Sequence, residues 1–209
     1  TPDFISGIVD NVTCGTPITA VIYNQNAHSN DYKNIIDIPR PGHADFTAQI
    51  KYSGAQDVRG GGHFSGRLTA PLCIAGGIAK QILARKGIEI YAHISSIADV
   101  CDDTFDKTNP CASQLKETCS KNFAVLNENQ GEKMKEAIKT AKENGDSVGG
   151  TIECVVLGLE AGIGGPMFDG LESVISSAVF GVPAVKGIEF GNGFDCTKIL
   201  GSENNDEFY

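Results

Sequence analysis

The stretch Arg59-Gly60-Gly61-Gly62-His63-Phe64-Ser65-Gly66-Arg67-Leu68-Thr69 organises the reading of this chain. Three consecutive glycines close a polar segment, and an apolar helical pattern begins directly after them. That pattern predicts a helix from Leu68 to Lys86, with Leu72, Ala75, Ile78, Ala79, Ile82 and Leu83 apolar, Pro71 in its first turn and Gly87 as its stop. A glycine-rich loop that opens a helix exposes unpaired backbone N–H groups and the positive end of the helix dipole. Together these favour phosphate or another anion. Arg59 and Arg67 add full positive charges, and Ser65 and Thr69 add hydroxyl donors. The Gly-Lys-Ser/Thr ending of a P-loop is missing, and so is the dinucleotide-binding fingerprint.

Upstream lies a second constellation, Arg40-Pro41-Gly42-His43-Ala44-Asp45-Phe46-Thr47. Pro41 and Gly42 make a turn that presents Arg40 and His43 at the mouth of the segment that follows, which reads as a strand from Phe46 to Tyr52. An arginine three residues before a histidine pairs an anion clamp with a titratable proton donor, and Asp45 either orients the imidazole or caps the turn. Taken alone, this octapeptide reads better as a surface turn whose Arg and His are merely solvated. The distribution of charge argues otherwise. The net charge is −9, yet residues 1–98 carry +1 and residues 99–209 carry −10. Arg40, Arg59 and Arg67 are three of only four arginines, and His43 and His63 two of four histidines. In an acidic chain such a concentration points to an anion site, and the overall charge speaks against nucleic acid as a partner.

The chain's 209 residues, 41% hydrophobic and 21% charged, suit one sizeable soluble domain. No apolar run approaches the roughly 18–20 residues of a membrane span. Thr1-Pro2-Asp3-Phe4 is neither basic nor hydrophobic, so no membrane association and a cytoplasmic location are expected. The seven cysteines are odd in number and irregularly spaced, without a Cys-x-x-Cys pair, which predicts reduced thiols and no metal site.

Two further helices are expected. One spans Glu132 to Glu143; the other follows Asp169 as N-cap, with Glu172 completing a capping box, and stops at Gly181. Strands are expected at Pro17 to Tyr23, Phe46 to Tyr52, Ile88 to Ile97, Val148 to Leu157 and Ala184 to Phe190. Asp99 to Gln130 reads as an irregular excursion with one short helix around Ser113 to Ser120. Strands and helices alternate without regular βαβ spacing, so the expected class is α+β rather than doubly wound. No clean linker is visible, and residues 1–209 read as a single domain.

Other short motifs carry no chemistry singly but are informative in order: Asp31-Tyr32, Arg40 to Asp45, Lys51-Tyr52, Arg59 to Arg67, Asp146-Ser147-Val148-Gly149-Gly150, Phe168-Asp169, Pro183 to Gly191, and Gly201 to Glu207. With these motifs the chain resembles the chorismate synthase family over essentially its whole length. The resemblance implies an α+β fold of the β-α-β sandwich type, assembled as a homotetramer. It implies a lyase of the shikimate pathway, which makes chorismate and phosphate from 5-enolpyruvylshikimate 3-phosphate by 1,4-anti elimination. Reduced FMN is the implied cofactor, with NADPH involved only where the enzyme reduces its own flavin. By the same resemblance His43 matches the histidine that protonates reduced flavin, and Arg40 and Arg67 match arginines that hold the anionic substrate. His63, Phe64 and Ser65 match flavin-contacting residues, and Pro183 and Ala184 a second flavin contact.

The chain departs from the family pattern in three places. Many members read Arg-Ser-Ser-Ala-Arg where this chain has His63-Phe64-Ser65-Gly66-Arg67. The Gly-Glu-Ser-His-Gly segment that carries a second catalytic histidine in the family is not in this sequence, nor is the C-terminal part with a catalytic aspartate. The sequence therefore corresponds to the middle of a family member, and the expectation is that the 209 residues fold but do not turn over substrate. Two readings from other classes stand beside the enzyme: a non-catalytic module that binds a phosphate ligand or flavin, and a structural core that tetramerises.

Overall fold

In a computed structural model, residues 1–25, 28, 32 and 38–205 are described. Asp31, Asp206 and Glu207, which belong to motifs named above, lie outside the described residues. The backbone divides into two units, Thr1–Gly77 with Gly162–Tyr209, and Ile78–Ala161.

The first unit opens with short antiparallel pairs. β1 (Asp3–Ser6) pairs with β4 (Thr19–Val21), and between them β2 (Ile8–Val9) and β3 (Val12–Thr13) form a hairpin. Asp10 and Asn11 turn that hairpin with φ of 49° and 63°, the left-handed pair a tight two-residue turn requires. α1 follows at Asp45–Lys51. A strand was expected from Phe46 to Tyr52, because Phe46, Ala48, Ile50 and Tyr52 alternate with polar residues. The structure corrects this. The face that α1 buries is Asp45 and Ala48, three apart as on a helix, while Phe46 and Ile50 stay exposed. The glycine loop winds through 3₁₀ turns at Arg59–Phe64 and Gly66–Leu68 into α2 (Thr69–Ala84), within two residues of the expected bounds.

The second unit contains the last turns of α2, β5 (Glu89–Ile97), β6 (Val100–Cys101), α3 (Ala112–Ser120), α4 (Glu128–Glu143) and β7 (Gly150–Leu157). The sheet order is β6-β5-β7, all antiparallel, with Tyr91 opposite Val155 and His93 opposite Glu153. Tyr91 and His93, two apart on one strand face, are buried. Tyr91 joins Phe105 and Leu115 in a core flanked by Leu126, Val155 and Leu157. Beyond the short β6, the open edge of β5 is covered: the Ile94 N–H donates to the Ala124 carbonyl, and the Cys119 thiol donates to the Ala92 carbonyl. α4 starts four residues before the expected Glu132, because Asn127 caps it by accepting from the Asn129 N–H.

The chain then returns to the first unit with a 3₁₀ turn at Met167–Asp169, α5 (Leu171–Val179) and a 3₁₀ turn at Gly193–Lys198. The expected capping box is not formed. Gly170 is the N-cap without a side-chain bond, and Asp169 instead closes the preceding turn, its carbonyl accepting from the Gly165 N–H. The expected strand from Ala184 to Phe190 is likewise irregular. Ala184 takes φ of 70°, Gly187 interrupts the apolar run, and no ladder partner is present among the described residues. β-propensity without a partner leaves backbone groups unpaired, so the run does not become a strand. Helices with small antiparallel sheets make the α+β class that was expected.

Candidate functional site

All the sequence-predicted site residues fall in the first unit. Arg40 and His43 stand on the turn that leads into α1, and both engage Asp45, its first residue. Asp45 Oδ2 accepts from the Arg40 backbone N–H at 3.0 Å and from Nε at 2.8 Å, while Oδ1 accepts from Nη2 at 2.9 Å. Oδ1 also lies 2.5 Å from His43 Nδ1. Asp45 is 7% exposed. The Arg40 hydrogen bonds, aided by the His43 and Arg40 charges, hold its carboxyl far below the usual range against the opposing effect of burial. Burial alone would have made this carboxylate costly; three hydrogen bonds from Arg40 on its two oxygens make it stable as an anion.

The glycine loop comes up against this cluster. Gly60, Gly61 and Gly62 have φ of 64°, 86° and 54°, a left-handed run that side chains rarely adopt. A Cβ on Gly61 would stand 3.2 Å from His43 Nε2, so the imidazole packs directly on the loop. Arg67 Nη1 donates to the Gly60 carbonyl at 2.9 Å, and Ser65 Oγ accepts from the Arg67 N–H at 3.2 Å, capping the second 3₁₀ turn. The Tyr32 hydroxyl lies 4.0 Å from the place of a Cβ on Gly60 and acts electrostatically on Arg40.

The loop and the end of α1 enclose a cavity of about 130 Å³, walled by Asp45, Tyr52, Asp57, Gly61, His63 and Phe64 among others. His63 and Phe64 thus face the same space, whereas Pro183 and Ala184, in the turn after α5, do not line it. The concentration of positive charge is partly neutralised. Arg59 is bidentate with Asp57, which is drawn down to about 2 by that guanidinium, and Arg40 is matched by Asp45. Among the described residues Arg67 has no carboxylate partner. Asp57 was not singled out from the sequence. Its signal was the carboxylate two residues before Arg59, whose backbone N–H it accepts in an Asx turn. Among the described residues no group of three or more His, Cys, Asp or Glu side chains is placed to hold a metal ion. No described helix is long and apolar enough to cross a membrane.

The family model described as chorismate synthase matches residues 1–209. The chain belongs to the chorismate synthase family. A chorismate synthase of Lancefieldella parvula is 45% identical over 99% of this chain and 57% of its own length. One of Thermococcus gammatolerans is 44% identical over 99% of this chain and 56% of its own. A crystal structure of chorismate synthase superposes with a TM-score of 0.80 at 28% identity, covering 99% of this chain and 60% of that one. That likeness gives the chorismate synthase fold. The chain spans a little over half the length of the curated relatives it matches.

Proposed function

We propose that this chain carries the anion-binding and proton-transfer core of a chorismate synthase, a lyase that eliminates phosphate from 5-enolpyruvylshikimate 3-phosphate to give chorismate. The observation that carries this reading is the meeting of the two predicted loops: the His43 imidazole on Gly61, with Arg40 and Arg67 beside it. The substrate bears two carboxylates and a phosphate. Arg67, without a carboxylate partner among the described residues, is the cation readiest to receive one of them, while Arg40 meets the substrate with its charge already oriented by Asp45. Phosphate leaves as an anion, so guanidinium groups fixed before the reaction stabilise the charge that develops. His43 Nε2 is the titratable atom at the loop and moves a proton there.

Reduced FMN supplies, when bound, the electron density that makes the carbon–oxygen bond labile. The donor set suits part of such a group: loop N–H groups turned by positive φ, the Ser65 hydroxyl, the His63 ring and the apolar face of Phe64. The enclosed space of about 130 Å³ is smaller than the roughly 300 Å³ at which ligand pockets begin, so these residues make one side of a flavin site. Pro183 and Ala184 belong to the same proposed contact. The 209 residues alone are accordingly expected to fold without turnover, because groups that act as a unit lose nearly all catalysis when divided.

Location in the cytoplasm, a homotetramer, and residues 1–209 as one domain complete the reading. One cooperative thermal transition is the result expected of a single domain, and two separated transitions contradict it. The function is tested by anaerobic assay of the complete enzyme with chemically reduced FMN and 5-enolpyruvylshikimate 3-phosphate. Chorismate and phosphate in equal amounts are expected. Consumption of substrate without chorismate, or no reaction, contradicts the proposal.

A further inference from the structure

Asp45 has so far served only as a neighbour of Arg40 and His43. Its geometry assigns it a larger part. A carboxylate oxygen 2.5 Å from His43 Nδ1 repels a lone pair there and attracts a proton, and an ionised carboxylate has none to give, so the Nδ1 hydrogen belongs to the ring. A neutral imidazole carries one N–H, and placing it on Nδ1 leaves Nε2 as the nitrogen with the free lone pair. Nε2 is also the atom that faces the glycine loop, 3.2 Å from where a Gly61 Cβ would be. Arg40 does not compete for Nδ1. Its Nη2 lies 3.2 Å from Nδ1 and 3.3 Å from Nε2, nearly equal distances that put it over the ring face rather than in line with either lone pair.

We propose that Asp45 is the positioning residue of this site: it fixes His43 as the Nδ1–H tautomer, aims Nε2 at the glycine loop, and locks Arg40 over the ring. The carboxylate itself is anchored by chain geometry. It projects from the first residue of α1, and the Gln56 amide donates to the Asp45 carbonyl at 3.4 Å. When the ring is an imidazolium, Nε2 gives up its proton and recovers its lone pair while Nδ1 keeps its own. The Asp45 carboxylate therefore stays an anion throughout and never carries the transferred proton. The proposal rests on the role given above to His43.

The test combines a spectroscopic and a kinetic reading on the complete enzyme. ¹⁵N–¹H correlation of the histidine rings, at a pH where His43 is neutral, should show the Nδ1–H tautomer in the wild type. In Asp45→Asn the amide oxygen is held by the Arg40 backbone N–H and Nε, the two donors that Oδ2 accepts, which turns the NH₂ toward the ring. Nδ1 then becomes the acceptor and the spectrum should change to Nε2–H. Turnover should fall about 10²-fold, with KM rising as Arg40 loses its anchor, and the loss of turnover from Asp45→Asn should be smaller in a His43→Ala background than in the wild type. A wild-type Nε2–H tautomer, an unchanged tautomer in Asp45→Asn, or wild-type turnover in that variant overturns the proposal. If Asp45→Asn does not fold, the wild-type tautomer alone decides. If the wild type makes no chorismate, the reading of function fails while the tautomer still tests Asp45 by itself.

Discussion

His43 and His93 are built from the same ingredients and end in different roles. His43 in the first unit meets one carboxylate, Asp45, and its side chain is 26% exposed. His93 in the second unit is fully buried and meets two, with Nδ1 3.0 Å from Asp102 and Nε2 2.7 Å from Glu153. Each of those carboxylates also accepts backbone N–H groups, Asp102 from Leu126 and Asn127 before α4, and Glu153 from Phe105. The Phe105 ring lies 4.3 Å from the His93 ring centroid. Both ring nitrogens of His93 are therefore consumed in holding β5, β7 and the entry to α4 together. His43 spends one nitrogen on a carboxylate and presents the other to the loop. A histidine serves chemistry when the fold leaves one nitrogen unclaimed, and serves the scaffold when it claims both.

The surroundings follow the same division. Tyr91, Phe105, Leu115, Val125 and Met134 are buried in the second unit, whereas Ala48 is the buried apolar residue described in the first. The glycine loop has little apolar packing to fix it, so hydrogen bonds and positive φ set its shape.

The largest effect is expected at His93, whose ring lies between two carboxylates. His93→Ala leaves Asp102 and Glu153 facing each other without the ring, and should lower unfolding free energy in denaturant by about 3–5 kcal/mol. A loss below about 1 kcal/mol would mean that water replaces the ring, and that burial is not what separates the two histidines. Next comes Gly62→Ala. Its Cβ would collide with the Asp57 carbonyl oxygen at φ of 54° and ψ of −132°, so a loss of about 1–3 kcal/mol is expected, with weaker phosphate binding by calorimetry.

Asp45 gives a pH signature. Its carboxyl is depressed in the folded protein, so the unfolded chain binds more protons between the folded value and the ordinary 3.8. The stability it contributes is thus fully present above about pH 4 and lost as pH falls through the folded value. Denaturant melts should show wild type exceeding Asp45→Asn by about 1–2 kcal/mol above pH 4, with the gap closing in acid. A gap that widens in acid contradicts the arrangement. The smallest effect belongs to Arg59→Ala. Asp57 and Arg59 are exposed, and solvent screening leaves such a pair little to contribute to stability. The informative reading there is an NMR titration, in which Asp57 should rise from about 2 toward 3.8 once its guanidinium is gone.

Much of the second unit was legible because its signals are local. Ile88 to Ile97 and Val148 to Leu157 partly alternate as strands, and α4 carries helical spacing. α1 was misread because Phe46, Ala48, Ile50 and Tyr52 alternate by chance. The burial that decides between periods comes from Asp45, a residue no hydrophobic pattern counts. The candidate residues stood out by their chemistry, but the contact of His43 with Gly61 depends on three positive-φ glycines and was not written in the spacing. The His93 knot was invisible for a similar reason. Its partners Asp102 and Glu153 lie 9 and 60 residues from it along the chain, and only the register of β5 on β7 brings Glu153 opposite the ring.

In the proposed reaction His43, not the better-packed His93, moves the proton. Turnover of His43→Ala in the complete enzyme, measured beside its denaturation midpoint, tests this most directly. A rate about 10²–10⁴-fold below wild type, with the midpoint unchanged, is expected. Wild-type turnover from about pH 6 to 8, the range around an ordinary histidine's pKa near 6.5, would contradict it.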